Sequence, residues 1–305
     1  MVLKKWAVYV EDQENKWSDR EGDQKQHHGT SRTACSLCCP GVTRTYALQE
    51  LKTATVDFKF RIGVGATSFM YLAELRDGRF GAVKRVMEER GGSRKMFLDE
   101  VSVLLRISHP NLVGLLGFCL DKGEQLLLQE YIPNKSLFDK MHTYHGQFSG
   151  MLTWSNRLNI ALDIARALEY LHSQADPPII HRDVKSSNIL LVDNNHAKLA
   201  DFGLCKLGYG TEHGSQTPTS LKSTQGSLTL VEWTEECRKS NDIEALARML
   251  DPKLNGDANL GQLLSLISVA NSALLENLEG RPDMSQIVDV ILSSIEPQLH
   301  LELLV

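Results

Sequence analysis

Along residues 1 to 45 the chain alternates Asp, Glu, Lys, Gln, His and Ser with little apolar periodicity, a pattern that cannot bury enough surface to fold alone. From Tyr46 the pattern changes. YALQELKTATVDF carries apolar residues at helical spacing, and RIGVGATSFMYLAELRDGRFGAVKRV reads as strands around a glycine-bearing loop, with Asp77-Gly78 as a tight hairpin turn. SRKMFLDEVSVLLRI predicts a helix whose apolar stripe is Phe97, Val101, Leu104 and Leu105, flanked by Glu100. A carboxylate there needs a cation, because burying it alone is costly. LVGLLGF and EQLLLQEYI suit buried strands, and YIPNKSL reads as a connection leaving the sheet. WSNRLNIALDIARALEYLHS predicts a long amphipathic helix ending before Pro177-Pro178, and with it a second, helical lobe. No internal repeat or low-complexity segment interrupts this order.

Composition narrows the function classes. The 305 residues are 42% hydrophobic and 23% charged, enough for one large domain or two lobes with cores of their own. A net charge of −5 gives no clustered basic face and so no reason to expect nucleic acid as a partner. No apolar run reaches bilayer length, and the opening MVLKKWAVYVEDQENK lacks the apolar core of a secretory signal. The expected location is therefore cytoplasmic, with peripheral attachment at the plasma membrane left open. Six scattered cysteines fit a reducing compartment. Of these, Cys35, Cys38 and Cys39 cluster; half a zinc site or a palmitate acceptor competes there with a plain solvated tail.

Gly63-x-Gly65 between two strands lets backbone N–H groups approach a phosphate, although two glycines beside a strand are by themselves a weak signal. Residues further along the chain decide the matter. Ala82-Val83-Lys84 is succeeded by Glu100, then His181-Arg182-Asp183-Val184-Lys185-x-x-Asn188, then Asp201-Phe202-Gly203. Each piece is common, and the ordered set is very specific. The chain resembles a protein kinase from about Tyr46 to about Glu296. ELKTAT, HPNLVGLLGFC, EYIPNKSL, HRDVKSSNILL, LVEW, DPKL and GRPDMSQIV resemble the Pelle-related plant receptor-like kinases and receptor-like cytoplasmic kinases.

That resemblance implies an α+β, two-lobed fold. Its N-lobe, about 46–132, would be β-rich with one main helix, and its C-lobe, about 133–296, mostly α-helical, with a tail at 297–305. It implies ATP and Mg²⁺, a protein substrate and an upstream receptor kinase. Carried over by position, Lys84 would contact the α/β-phosphates and be held by Glu100, with Asp201 the principal metal ligand. Asp183 would orient the substrate hydroxyl, Lys185 would touch the γ-phosphate, and Asn188 would hold a second metal. Ile62, Met70, Ala82 and Leu190 would sandwich adenine against hinge backbone from Glu130 to Ile132. Lys185 resembles the Ser/Thr rather than the Tyr kinases. Arg182 suggests control by phosphorylation at Thr211, Ser215, Thr217, Thr219, Ser220, Ser223 or Thr224, against the plain alternative of a hydroxyl-rich loop.

Two departures qualify the resemblance. Ser68 replaces the family's third loop glycine, and Met70 replaces the valine over adenine. More seriously, STQGSLT runs directly into LVEW, so the A-P-E motif and the buried helix that the family places between them are absent between about 226 and 230. The expected consequences are a loosened or rearranged C-lobe and an Arg281 in need of a new partner. A truncated, non-catalytic nucleotide-binding or scaffold protein is the rival reading.

Overall fold

The computed structural model describes residues 44–65, 67–87, 93–142, 152–208, 230–240, 242–275 and 277–295. The chain divides into two units: an N-terminal one running through Pro133 that also takes Ala200–Cys205, and a C-terminal one of Asn134–Leu199 and the chain from Lys206. The expected α+β plan holds, a β-rich N-terminal unit and a helical C-terminal one.

The N-terminal unit is a six-stranded sheet in the order β1-β5-β6-β4-β3-β2. Its strands are β1 (Arg44–Thr45), β2 (Arg61–Val64), β3 (Ser68–Glu74), β4 (Phe80–Val86), β5 (Leu115–Cys119) and β6 (Gln125–Glu130). The β3–β4 hairpin turns where Asp77-Gly78 predicted: Gly78 takes φ 80°, and Leu75 N–H bonds Arg79 O at 2.8 Å. β1 pairs in parallel with β5, Arg44 opposite Gly117 and Thr45 opposite Phe118. No side chain is tolerated at Gly117, where a Cβ would overlap the Arg44 carbonyl and the Tyr46 ring.

Helix α1 (Leu48–Ala54) packs Leu48 and Leu51 onto Ala73, Val83, Cys119, Leu126 and Leu128 of one sheet face. It stops in a left-handed turn, with Val56, Asp57 and Phe58 at φ 51°, 55° and 58°. Buried Thr55 holds that turn, its hydroxyl donating to Leu51 O at 2.7 Å and accepting from Phe58 N at 3.1 Å. The Phe58 ring then meets Tyr71 edge-on and lies beneath the Arg85 guanidinium.

Helix α2 (Ser93–Leu104) packs against β6. Phe97, Val101 and Leu104 are buried as expected, but Leu105 is 51% exposed and Val103 is buried in its place. The helix ends at Leu104, and at roughly 100° per residue the buried arc runs from Val103 through Glu100 to Val101. Glu100 therefore lies inside the buried arc rather than beside it, which only a charged partner makes tolerable.

In the C-terminal unit, α3 (Leu137–His142) precedes α4 (Trp154–Glu169), whose Thr153 cap accepts from Asn156 N and which continues as a wider turn over Tyr170–Gln174. Two small ladders come next, β7 (Ile179–Ile180) with β10 (Lys206–Leu207), and β8 (Ile189–Leu191) with β9 (Ala197–Leu199). The remaining α-helices among the described residues are α5 (Leu230–Lys239), α6 (Ile243–Ala247), α7 (Leu260–Ala273) and α8 (Met284–Ile295). α4 packs directly on α8 and β9, and α7 on α8, and Ile160, Ile164 and Leu168 of α4 and Met284, Ile287 and Ile291 of α8 are buried. The start of α4 is tied to the first turn of α7 and to the segment before it: Trp154 N donates to Asp257, Trp154 Nε1 to Gln262, and the buried Arg157 guanidinium to Asp251 at 2.9 Å. Arg281 donates through Nε to Leu275 O at 2.7 Å.

Candidate functional site

Strand register decides which side chains share a face. Directly opposite residues project to the same side of a sheet, so Met70 opposite Lys84, Leu72 opposite Ala82, Lys84 opposite Leu127 and Ala82 opposite Gln129 belong to one face. The face with Val83 and Leu128 is covered by α1, leaving Lys84 to point the other way.

Lys84 Nζ donates to Glu100 Oε1 and Oε2 at 2.8 and 3.1 Å, and to Asp201 Oδ1 at 2.7 Å. Burial works against the Lys84 charge, yet the two carboxylates outweigh it and hold the ammonium above the usual lysine range. For Glu100 burial is the larger effect and pushes its carboxyl up, opposed by Lys84. Asp201 sits at φ 69°, with its side chain 42% exposed. Gly203 is tightly placed, since a Cβ there would stand 3.3 Å from Glu100 Oε2 and 3.5 Å from Asp201 Oδ1.

Among the described residues no three His, Cys, Asp or Glu side chains group to hold a metal ion. The side-chain oxygen of Asp201 suits an oxygen-seeking divalent cation that completes its shell with water and phosphate.

The glycine loop is shaped by its own substitution. Gly65 N–H bonds Ser68 O at 2.8 Å, and a Cβ on Gly65 would come within 2.9 Å of the Ser68 hydroxyl. Ser68 is buried, and a side chain on Gly65 would have to displace its hydroxyl. Gly63 faces Met70 in the same way, with a Cβ 3.3 Å from the Met70 Cβ. Ile62 on β2 is exposed and Ala82 on β4 buried. Glu130 clasps Gly114 twice, its Oε1 accepting from Gly114 N at 2.7 Å and its N–H donating to Gly114 O at 3.0 Å; half-buried Ile132 lies two residues on.

A second cluster lies in the C-terminal unit, in the loop between β7 and β8. Lys185 Nζ reaches Asp183 Oδ1 and Oδ2 at 2.9 and 2.6 Å, and Asn188 Nδ2 donates to Asp183 O and Oδ2, both at 2.9 Å. Asp183 N–H donates to His181 Nδ1 at 3.3 Å, across an Arg182 held at φ 61°. Leu190 on β8 bridges to Ser136 in this same unit. The threonines and serines from Thr211 to Thr224, and Cys35, Cys38 and Cys39, lie outside the described residues.

Sequence reasoning passed over Gln129. It is 5% exposed on the Lys84 face, and its Nε2 has no hydrogen-bond partner among the described residues. The signal was available in EQLLLQE, where Gln125 and Gln129 fall four apart and so on one face of a strand otherwise read as uniformly apolar.

Residues 57–229 match the family model described as the protein kinase domain. A calmodulin-binding receptor-like cytoplasmic kinase of Arabidopsis thaliana is 40% identical over 190 residues, covering 60% of this chain and 46% of that protein. Another Arabidopsis thaliana protein, a calcium/calmodulin-regulated receptor-like kinase, is 32% identical over 287 residues (84% and 65%). A probable leucine-rich repeat receptor-like protein kinase of the same plant is 34% identical over 276 residues (84% and 29%). The chain thus spans less than two thirds of each of these relatives. Among solved structures, the drought responsive inactive kinase 1 pseudokinase bound to ENMD-2076 superposes with a TM-score of 0.65 at 22% identity, covering 83% of this chain and 97% of that one.

Proposed function

Because the chain belongs to the protein kinase family, we propose that it is a serine/threonine kinase of the receptor-like type, passing the γ-phosphate of ATP to a protein hydroxyl. The observation that carries this reading is the Lys84 ammonium held between buried Glu100 and partly exposed Asp201, from three distant parts of the chain. Phosphoryl transfer asks mainly for fixed charge and in-line positioning. Lys84, braced by Glu100, would hold the α/β-phosphates. Asp201 and Asn188 would hold the divalent ion, Mg²⁺ in this reading, which when bound neutralises phosphate charge. Asp183 would accept or orient the hydroxyl proton, its carboxylate aimed by Asn188 and Lys185, with Lys185 free to turn toward a γ-phosphate. Ile62, Met70, Ala82 and Leu190 would enclose the base, and Gly63 and Gly65 would admit the phosphates.

In this reading the protein works in the cytoplasm on a protein substrate, downstream of a receptor kinase. Among the described residues no helix is long and apolar enough to cross a membrane.

A second reading rests on the direct run of STQGSLT into LVEW, which leaves out the segment the family uses to seat a peptide. The chain would then bind nucleotide without transferring phosphate. A transfer assay on a generic protein substrate separates the two. Phosphorylation by the wild type and none by Asp183→Asn supports the enzyme. A wild type that gains thermal stability with Mg²⁺·ATP yet transfers nothing establishes the binding protein instead.

A further inference from the structure

Gln129 sits on β6 with Ala82 of β4 directly opposite on one side and Leu115 of β5 on the other. Neither neighbour carries a hydrogen-bonding side chain. Lys84, the diagonal neighbour on β4, has only N–H groups to offer, and these go to Glu100 and Asp201. Gln129 is 5% exposed, and its Nε2 has no hydrogen-bond partner among the described residues. Leaving a buried amide N–H unmet is costly, and a position between Ala82 and Leu115 would otherwise suit an apolar residue.

The backbone that carries this amide is held on both sides. β6 pairs with β4 and with β5 at Gln129, and the next residue, Glu130, is clasped to Gly114 through its N–H and its carboxylate. The terminal torsion of a glutamine is broad, so the amide can turn either end toward a ligand while the strand stays still. Diagonal neighbours on adjacent strands stand about 7–8 Å apart, which lets one ligand reach both Gln129 and Lys84.

An amide offers one donor and one acceptor side by side. Adenine presents the complementary pair along one edge, the acceptor N7 beside the N6 amino donor, whereas guanine presents two acceptors, N7 and O6. On the premise, proposed above, that the Lys84 face holds a nucleotide, we infer that Gln129 reads its base. Nε2 donates to adenine N7 and Oε1 accepts from N6, which favours ATP over GTP.

Titration calorimetry on the full chain with Mg²⁺·ATP, Mg²⁺·GTP and Mg²⁺·7-deaza-ATP, in which a C–H replaces N7, provides the test. The wild type should bind ATP about tenfold more tightly than 7-deaza-ATP. Gln129→Met, similar in volume and without the amide, should bind ATP and 7-deaza-ATP alike, and its preference for ATP over GTP should shrink. Its thermal midpoint should not fall, since an unmet buried amide is removed. Should it fail to fold, Gln129→Leu gives the same comparison. A wild type that binds ATP and 7-deaza-ATP equally would overturn the role of Gln129 and leave nucleotide binding standing. So would a Gln129→Met chain that keeps the wild-type preference. Binding of none of the nucleotides would overturn the nucleotide reading, and the role of Gln129 with it.

Discussion

Val56 is ill suited to its place. A β-branched side chain at φ 51° carries the full steric cost of the left-handed region, and Val56 is 57% exposed, so no burial offsets it. Val56→Asn should stabilise the protein by about 0.5–1 kcal/mol, read as a higher urea midpoint with unchanged slope. Val56→Ala, still an L-residue without asparagine's local hydrogen bonding, should recover less. The ordered kinase-like residues were legible from the chain because their chemistry dictates their types. The left-handed turn was not, since TVDF carries no glycine or asparagine to announce it.

At the scale of elements, two packing contacts make separate predictions. β1 lies against β5 only because Gly117 has no side chain. Gly117→Val should release residues 44–46, exposing Tyr46 N–H, now bonded to Phe118 O at 2.8 Å, to rapid hydrogen exchange while β3, β4 and β6 stay protected. The wide turn ending α4 buries His172, and that burial first, then the neighbouring His181, lowers its pKa to about 4. A histidine kept neutral in the folded state binds its proton more readily when unfolded. Stability is therefore complete above pH 6.5 and falls as pH drops toward 4, by roughly 3 kcal/mol for this group. Thermal midpoints across that range should show the decline, and His172→Leu should flatten it. Periodicity located α1, α2 and α4, but Leu105 and Val103 exchanged roles because helix length, set by packing, decides which residues the buried arc includes.

For the whole molecule, the test is the group that joins distant parts of the chain. Lys84→Met leaves Glu100 buried without its cation, which costs about 3–5 kcal/mol when the remaining charge stays ionised. Glu100, already pushed toward its neutral form by burial, can take up a proton, so the loss should fall near the lower end. The same variant should lack the rise in melting temperature that the proposed function predicts for the wild type with Mg²⁺·ATP. A retained rise would remove Lys84 from the nucleotide site. The sequence by itself determined the family, the division into a β-rich and a helical part, and the residue types of the site, because charge and glycine requirements are written in composition and order. Tertiary structure decided that Glu100 lies inside a buried arc, that Gln129 shares the Lys84 face, and that α4 packs directly on α8. Those outcomes depend on register, helix ends and the contacts of residues far apart in the chain, which no local pattern encodes.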